Sequence, residues 1–445
     1  MADVDSEVDQ PVPPGRVLDT LREHVLVDGL PLVLDLERSR GTCLVDQVTG
    51  TRYLDMFTFY ASNALGMNHP GLSEPEFTAD LLAAARTKPS NPDVATVAYA
   101  RFVATFERVV GDPALPHYFF IEGGALAVEN ALKVAFDWKS RWNQAHGIPP
   151  DLGTRVLHLT DAFHGRSGYT LSLTNTDPIK VARFPKFDWP RIPAPYLAEG
   201  RDVAALERDT LDRARAAFAA HPHDIACFLM EPIQGEGGDH HFRPRFLSAM
   251  RDLCHAHDAL FVLDEVQTGG GSTGTPWAYQ QLGVTPDVVA FGKKLQVCGV
   301  MAGGRVDEVA DNVFRVGSRI NSTWGGNLTD MVRARRILEV IEAEDLFANA
   351  AARGAELLTG LRRLRERHRL VDNPRGRGLL AAVSLPDGAT RDALIRRLYE
   401  SERVIVLGCG RRTLRLRPPL TVGSDDIAAA VDALDRALSW LEARQ

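Results

Sequence analysis

Phe261-Val262-Leu263-Asp264-Glu265-Val266-Gln267 runs apolar and then stops on two carboxylates. An unbroken apolar run, here opening at Leu260, suits a strand buried on both faces; a strand with one wet face would alternate. Working outward, the pattern repeats. Residues 226–230 upstream and 288–291 downstream are near-continuous apolar runs, and 117–121 and 156–159 are further strand candidates. Helical patterns fall between them, from Gly124 through Trp138, over 206–218 and over 242–255. Strand and helix alternating in this way predict an α/β fold, with a mostly parallel central sheet flanked by helices.

The two ends read differently. Residues 43–57 have the pattern of a hairpin turning near Val48-Thr49-Gly50. After Thr329, Met331, Val332, Leu338 and Ile341 fall on one face of a long amphipathic helix. A helix over 346–367, a strand over 378–385, a helix around 394–398, a strand near Leu414 and a last helix from Asp425 complete the reading. The expected organisation is an N-terminal arm and part of a small domain over 1–59, a large domain over 60–328, and the C-terminal small domain over 329–445. Pro11, Pro13 and Pro14 suggest a loose arm.

Composition removes several function classes. With 445 residues, 45% of them hydrophobic and 24% charged, the chain can bury a large core without covalent staples. A net charge of -7 argues against a general binder of nucleic acid or of acidic membranes, both of which need basic surface. The cysteines, Cys43, Cys227, Cys254, Cys298 and Cys409, are odd in number and form no C-x-x-C pair, so neither a disulfide framework nor a metal site is expected. A reduced, cytoplasmic setting suits them. Residues 1–10 are acidic and lack the apolar core of a secretory signal, and no apolar run approaches the ~20 residues that span a bilayer.

Ligands of open α/β sheets bind beyond the carboxyl ends of the strands, so the residues just past each apolar run are the first candidates for chemistry. Asp264 ends one run; a carboxylate there needs a charged partner, such as a pyridinium nitrogen, or else caps a helix or pairs at the surface. Lys293 comes after Phe291-Gly292 and is placed to react as an amine, although a bare Gly-Lys more often marks a solvated loop. Glu122-Gly123-Gly124-Ala125 leads into a helix whose free N–H groups suit a phosphate, or forms a plain tight turn. Phe163 and Arg166, in Asp161-Ala162-Phe163-His164-Gly165-Arg166, could stack on a flat ring and grip a carboxylate, or be a core ring and a surface cation.

Taken in order, these segments resemble the fold-type I, class III aminotransferases, which use pyridoxal 5'-phosphate. The resemblance extends through Glu231-Pro232-Ile233-Gln234-Gly235-Glu236-Gly237-Gly238, Asp264-Glu265-Val266-Gln267-Thr268-Gly269, Gly292-Lys293, Asn321-Ser322-Thr323-Trp324-Gly325-Gly326-Asn327 and Arg415-Leu416-Arg417-Pro418-Pro419-Leu420. It implies Lys293 as the Schiff-base lysine and proton carrier, with Lys294 outside the family position. It implies Asp264 as partner of the pyridinium nitrogen, Gln267 at the ring hydroxyl and Phe163 as the stacking aromatic. Gly124 and Ala125 resemble the phosphate cup, where Ala125 lacks the hydroxyl that many members have. Thr323 is similar to a threonine that reaches the phosphate in a neighbouring subunit, which implies a homodimer with shared active sites.

The same resemblance implies that Glu236 pairs with the carboxylate-binding Arg415 and swings away when a second substrate needs it, while Arg166 holds the far carboxylate. Within the class, the chain most resembles members acting on the terminal amine of L-lysine, through Phe57-Thr58-Phe59-Tyr60-Ala61-Ser62-Asn63, Lys88-Pro89-Ser90-Asn91, Phe184-Pro185-Lys186-Phe187-Asp188-Trp189-Pro190 and Lys293-Lys294-Leu295-Gln296-Val297-Cys298-Gly299. The implied reaction moves the ε-amine of L-lysine to 2-oxoglutarate, giving L-glutamate and 2-aminoadipate 6-semialdehyde; ornithine and 4-aminobutyrate are the alternative amines. A serine hydrolase is the competing enzyme class, because Gly270-Gly271-Ser272-Thr273-Gly274 fits G-x-S-x-G. Ser272 lies too far beyond the strand for a nucleophile elbow, and only His368 comes after it in the chain. A non-catalytic regulator of the same fold would need an added DNA-binding segment, for which the short acidic N-terminus leaves no room.

Overall fold

A computed structural model describes residues 12–444. At its centre is a seven-stranded sheet. Its strands in chain order are β1 (His117–Ile121), β2 (Arg155–Leu159), β3 (Arg191–Ile192), β4 (Ile225–Met230), β5 (Leu260–Asp264), β6 (Val288–Phe291) and β7 (Cys298–Ala302). They lie in the spatial order β1-β7-β6-β5-β4-β2-β3. Pairing is parallel from β6 through β3, while β7 runs antiparallel to both β6 and β1.

Helices cover both faces, which is why the central strands β4, β5 and β6 are apolar almost throughout. Phe261 and Leu263 of β5 point into one cluster with Phe246, Leu247 and Met250 of the helix Pro244–Ala256. Leu260 and Val262 point into the other, with Ala127, Ala131 and Trp138 of the helix Gly124–Ala145. Every residue of β4, β5 and β6 is buried, and alternation along a strand sends successive side chains to opposite layers.

β7 is a strand that the sequence pattern does not mark, because Gly299 and the polar Lys293-to-Gln296 turn interrupt the apolar run. Its glycine is required: a Cβ at Gly299 would lie 2.2 Å from the Phe119 carbonyl oxygen on the neighbouring strand. The helices Pro75–Ala85 and Val97–Val110 also lie outside the sequence expectation. Both pack on Leu328–Ala343, the helix expected after Thr329, whose Met331, Val332, Leu338 and Ile341 are all buried.

Away from the central sheet, the hairpin Cys43–Val45/Arg52–Asp55 is extended by Val404–Ile405, which pairs in parallel with Arg52–Asp55. A four-stranded antiparallel sheet joins Asp372–Arg377, Leu380–Ser384, Thr413–Leu416 and Leu407–Cys409. The helix Leu346–Arg367 packs on this sheet and against the last helix, Ser424–Glu442. The loose arm suggested by Pro11, Pro13 and Pro14 lies partly outside the described residues. From Pro14 onward the chain forms a 3-10 turn, Pro14–Arg16, and a short helix, Val17–Arg22; proline at the first helical positions has its φ already set for a helical start.

Candidate active site

The carboxyl ends of the parallel strands converge on one cavity of about 590 Å³. β5 delivers Asp264 and, three residues on, Gln267. β6 hands over to Gly292 and Lys293. β2 leads to Phe163 and Arg166, β1 leads to Gly124 and Ala125, and β4 leads to Glu231 and Glu236. All of these residues except Gly292 line the cavity. Arg415 lies behind the wall, 1% exposed, at the end of Thr413–Leu416 and bonded to Glu236. Thr323 is exposed on the isolated chain and does not line the cavity.

Both lysines of the Lys293-Lys294 pair are withdrawn from water, contrary to a solvated loop. Lys293 takes a left-handed backbone, φ 50°, at the start of a 3-10 turn. Burial, with Arg415 and Arg417 nearby, pulls its amine down to about 8, so a reactive free amine is accessible near neutral pH. Lys294 points the other way, and its Nζ donates to the carbonyl of Asn63 (3.2 Å). Burial, followed by the charge of Arg417, brings its amine to about 7.

Asp264 is 5% exposed. His164 Nδ1 donates to its Oδ2 (2.8 Å) and the Val266 N–H to its Oδ1 (3.0 Å), which leaves each oxygen with acceptor capacity toward the cavity. The sequence segment contains His164, but nothing in its pattern discloses that it steadies Asp264. Glu231 is a second participant that the sequence does not assign. It accepts from the Phe163 N–H (3.0 Å) and from the Gly235 N–H (2.9 Å), so one carboxylate fixes the backbone of the candidate stacking ring and of the loop before Glu236. Burial lifts Glu231 to about 7, although His164 opposes this.

Glu236 bridges two cations. Its Oε2 accepts from Arg415 Nη2 and its Oε1 from Lys180 Nζ, both at 2.6 Å. Burial alone would raise its pKa; Arg415 and Lys180 outweigh burial and hold it below the ordinary value. Lys180 sits on the exposed 3-10 turn Pro178–Lys180, where no apolar periodicity marks a functional position. Gln267 turns its Oε1 toward Arg415 Nη1 (3.3 Å) and Arg417 Nη2 (3.4 Å). Arg417 in turn forms a fully buried pair with Asp239.

A family profile for class-III aminotransferases matches residues 26–438. The chain belongs to the class-III aminotransferases. It is similar to the L-lysine-epsilon aminotransferase of Mycobacterium tuberculosis, at 66% identity over 434 residues and 96% of each chain. The L-lysine-epsilon aminotransferase of Amycolatopsis lactamdurans is 60% identical over 432 residues, 95% of each chain. Among solved structures, the lysine aminotransferase from M. tuberculosis in the internal aldimine form matches with a TM-score of 0.95 at 66% identity, covering 96% of this chain and 99% of that one.

Pyridoxal 5'-phosphate, the cofactor of this class, suits the cavity of this aminotransferase. The helix Gly124–Ala145 opens toward it with no side-chain cap on its first N–H groups, which suits a phosphate. Asp264 keeps acceptor capacity for a protonated ring nitrogen, and Lys293 lines the same cavity with a lowered pKa. The G-x-S-x-G stretch carries no such chemistry. Ser272 is 1% exposed, and His368 is buried between Asp435 (2.7 Å) and Glu442 (3.1 Å) rather than near Ser272.

Proposed function

We propose that this aminotransferase is an L-lysine 6-transaminase. It moves the ε-amino group of L-lysine to 2-oxoglutarate and releases L-glutamate and 2-aminoadipate 6-semialdehyde, which closes to a cyclic imine. The observation that carries this reading is the Glu236–Arg415 pair, with Glu236 in the cavity wall and Arg415 just behind it, a cation suited to a carboxylate and masked by a charged side chain. The choice of lysine among terminal amines is supported by the 66% identity to an L-lysine-epsilon aminotransferase.

The two substrates place different charges at the same spot. The terminal carbon of lysine carries an amine and no carboxylate, so Glu236 stays in place and neutralises Arg415; an unpaired buried arginine would be costly. Glutamate and 2-oxoglutarate bring a carboxylate beside the reacting carbon, and it replaces Glu236 on Arg415, where a bidentate grip is available. Arg166, exposed at the cavity, takes the far carboxylate of either substrate.

Lys293, Asp264, Phe163, Gln267, Gly124 and Ala125 would hold pyridoxal 5'-phosphate. When bound, it supplies an electron sink for the carbon that loses its proton. Lys293 Nζ takes that proton from the ε-carbon of lysine, a transfer its lowered pKa favours. Asp264, steadied by His164, keeps a negative charge at the ring-nitrogen end. Ala125 provides no hydroxyl at the helix start, and Thr323 of a neighbouring subunit would provide one in a homodimer with shared sites. The five cysteines are all unpaired, in keeping with a reduced cytoplasmic setting.

Glutamate formation from 2-oxoglutarate with L-lysine, L-ornithine or 4-aminobutyrate as donor tests the reading. L-lysine is expected to be the best donor by kcat/KM. A clear preference for either of the others would retain the class and reject the substrate.

A further inference from the structure

Glu236 lines two cavities at once. One is the catalytic cavity; the other is an outer cavity of about 660 Å³ lined by Lys180, Asp177, Gly237, Gly410 and Arg411 among others. Its two carboxylate oxygens already divide between a cation on each side, Arg415 for Oε2 and Lys180 for Oε1. The backbone around it is fixed. The Gly410 N–H donates to the Glu236 carbonyl (2.9 Å), and a Cβ at Gly410, φ 51°, would lie 2.5 Å from the Gly237 carbonyl oxygen. The side chain, about a quarter exposed like that of Lys180, is the part left free to turn.

We propose that Lys180 is a positioning residue for Glu236, and that the outer cavity receives the Glu236 carboxylate when a substrate carboxylate occupies Arg415. The inference rests on the two-substrate reading and supplies what that reading lacks, a destination for the displaced charge. Glu236 releases one oxygen from Arg415 and keeps the other on Lys180. It therefore pivots without ever becoming an unpaired charge in a half-buried site, which would be costly. The outer cavity supplies room for that movement outside the space the substrate fills.

The consequence is an asymmetry between the substrates. While lysine reacts, Glu236 remains on Arg415, and Lys180 contributes little. When 2-oxoglutarate or glutamate enters, Glu236 must leave Arg415, and Lys180 is the cation already bonded to its other oxygen; Arg391 and Arg411 also line the outer cavity, but neither is paired with Glu236. Loss of Lys180 therefore penalises the dicarboxylate and spares the amine donor.

The test compares holoenzyme carrying Lys180→Met or Lys180→Arg with the unsubstituted enzyme. Single-turnover rates are followed separately for L-lysine and for 2-oxoglutarate, and calorimetry gives the affinity for glutarate, a dicarboxylate with neither amine nor keto group. Lys180→Met is expected to weaken 2-oxoglutarate and glutarate by about tenfold or more, the equivalent of one lost ion pair in a partly dry site. The lysine half-reaction should change far less, and Lys180→Arg should recover most of the loss. Equal losses in both half-reactions, or glutarate affinity untouched by Lys180→Met, would overturn the proposal. If the unsubstituted enzyme does not accept lysine at all, the substrate reading fails instead, and the glutarate affinities alone decide the role of Lys180.

Discussion

Lys293 and Lys294 are neighbours in sequence, both withdrawn from water, and opposite in use. Lys293 faces the cavity, whereas Lys294 ties the turn to Asn63 with its charge near that of Asp55. Lys293→Ala should cut turnover at least about 10³-fold, as loss of a nucleophile and proton carrier does, with the melting profile of the protein retained. Lys294→Ala should keep the cofactor-binding absorbance yet lower thermal stability, because a buried stem is removed at a cost of about 2 kcal/mol. Appreciable turnover by the Lys293 variant would reject its role. The residues visible in the sequence, Asp264, Lys293, Phe163 and Gly124, all sit at or just past the end of a strand, where chemistry is expected. His164, Glu231 and Lys180 act through partners 100, 68 and 56 residues away in the chain. No local pattern encodes such pairings.

At the scale of elements, the segment Thr58–Ala61 has a conformation that no residue type in it announces. Its φ values are 42°, 51°, 59° and 66°, one turn of left-handed backbone without a glycine. Such residues cost about 1–2 kcal/mol each and persist only where their surroundings over-determine them. Asp55 Oδ1 accepts from the N–H groups of Phe57 (2.9 Å) and Thr58 (2.8 Å), and Thr58 Oγ1 donates to the Arg417 carbonyl (2.6 Å). Just beyond the turn, the Ser62 and Asn63 carbonyls accept from Gln296 (2.6 Å) and Lys294 (3.2 Å), which tie it to the lysine loop. Asp55→Ala should therefore cost about 2 kcal/mol through two N–H groups left unpaired and lower the thermal midpoint. An unchanged midpoint would show that the turn is held by other contacts. Most of the long helices and of the buried strands are readable in the sequence because 3.6-residue and continuous apolar patterns mark them; the helices Pro75–Ala85 and Val97–Val110 lie outside that reading. The left-handed turn and β7 are not readable, because what fixes them is packing against distant chain.

At the scale of the molecule, parts far apart in the chain make one site. The four-stranded sheet carries Arg415 to Glu236, 179 positions away, and Val404–Ile405 extends the hairpin formed near the start of the chain. The sequence discloses that a helix-covered sheet fills the middle and that the ends differ from it. Which end strand pairs with which depends on closing long loops, and no local signal records that. This joining sets a strand-end lysine in the cavity wall and, behind that wall, an arginine brought from a distant part of the chain, as the proposed two-substrate transfer requires.

In the proposed reaction the terminal nitrogen of lysine becomes the nitrogen of glutamate. Incubating the enzyme with 2-oxoglutarate and lysine labelled with ¹⁵N at either the ε or the α position, then reading the label in glutamate by mass spectrometry, tests it most directly. Labelled glutamate is expected from ε-labelled lysine and none from α-labelled lysine. Label arriving from the α position, or no label from either, would contradict the proposed transfer.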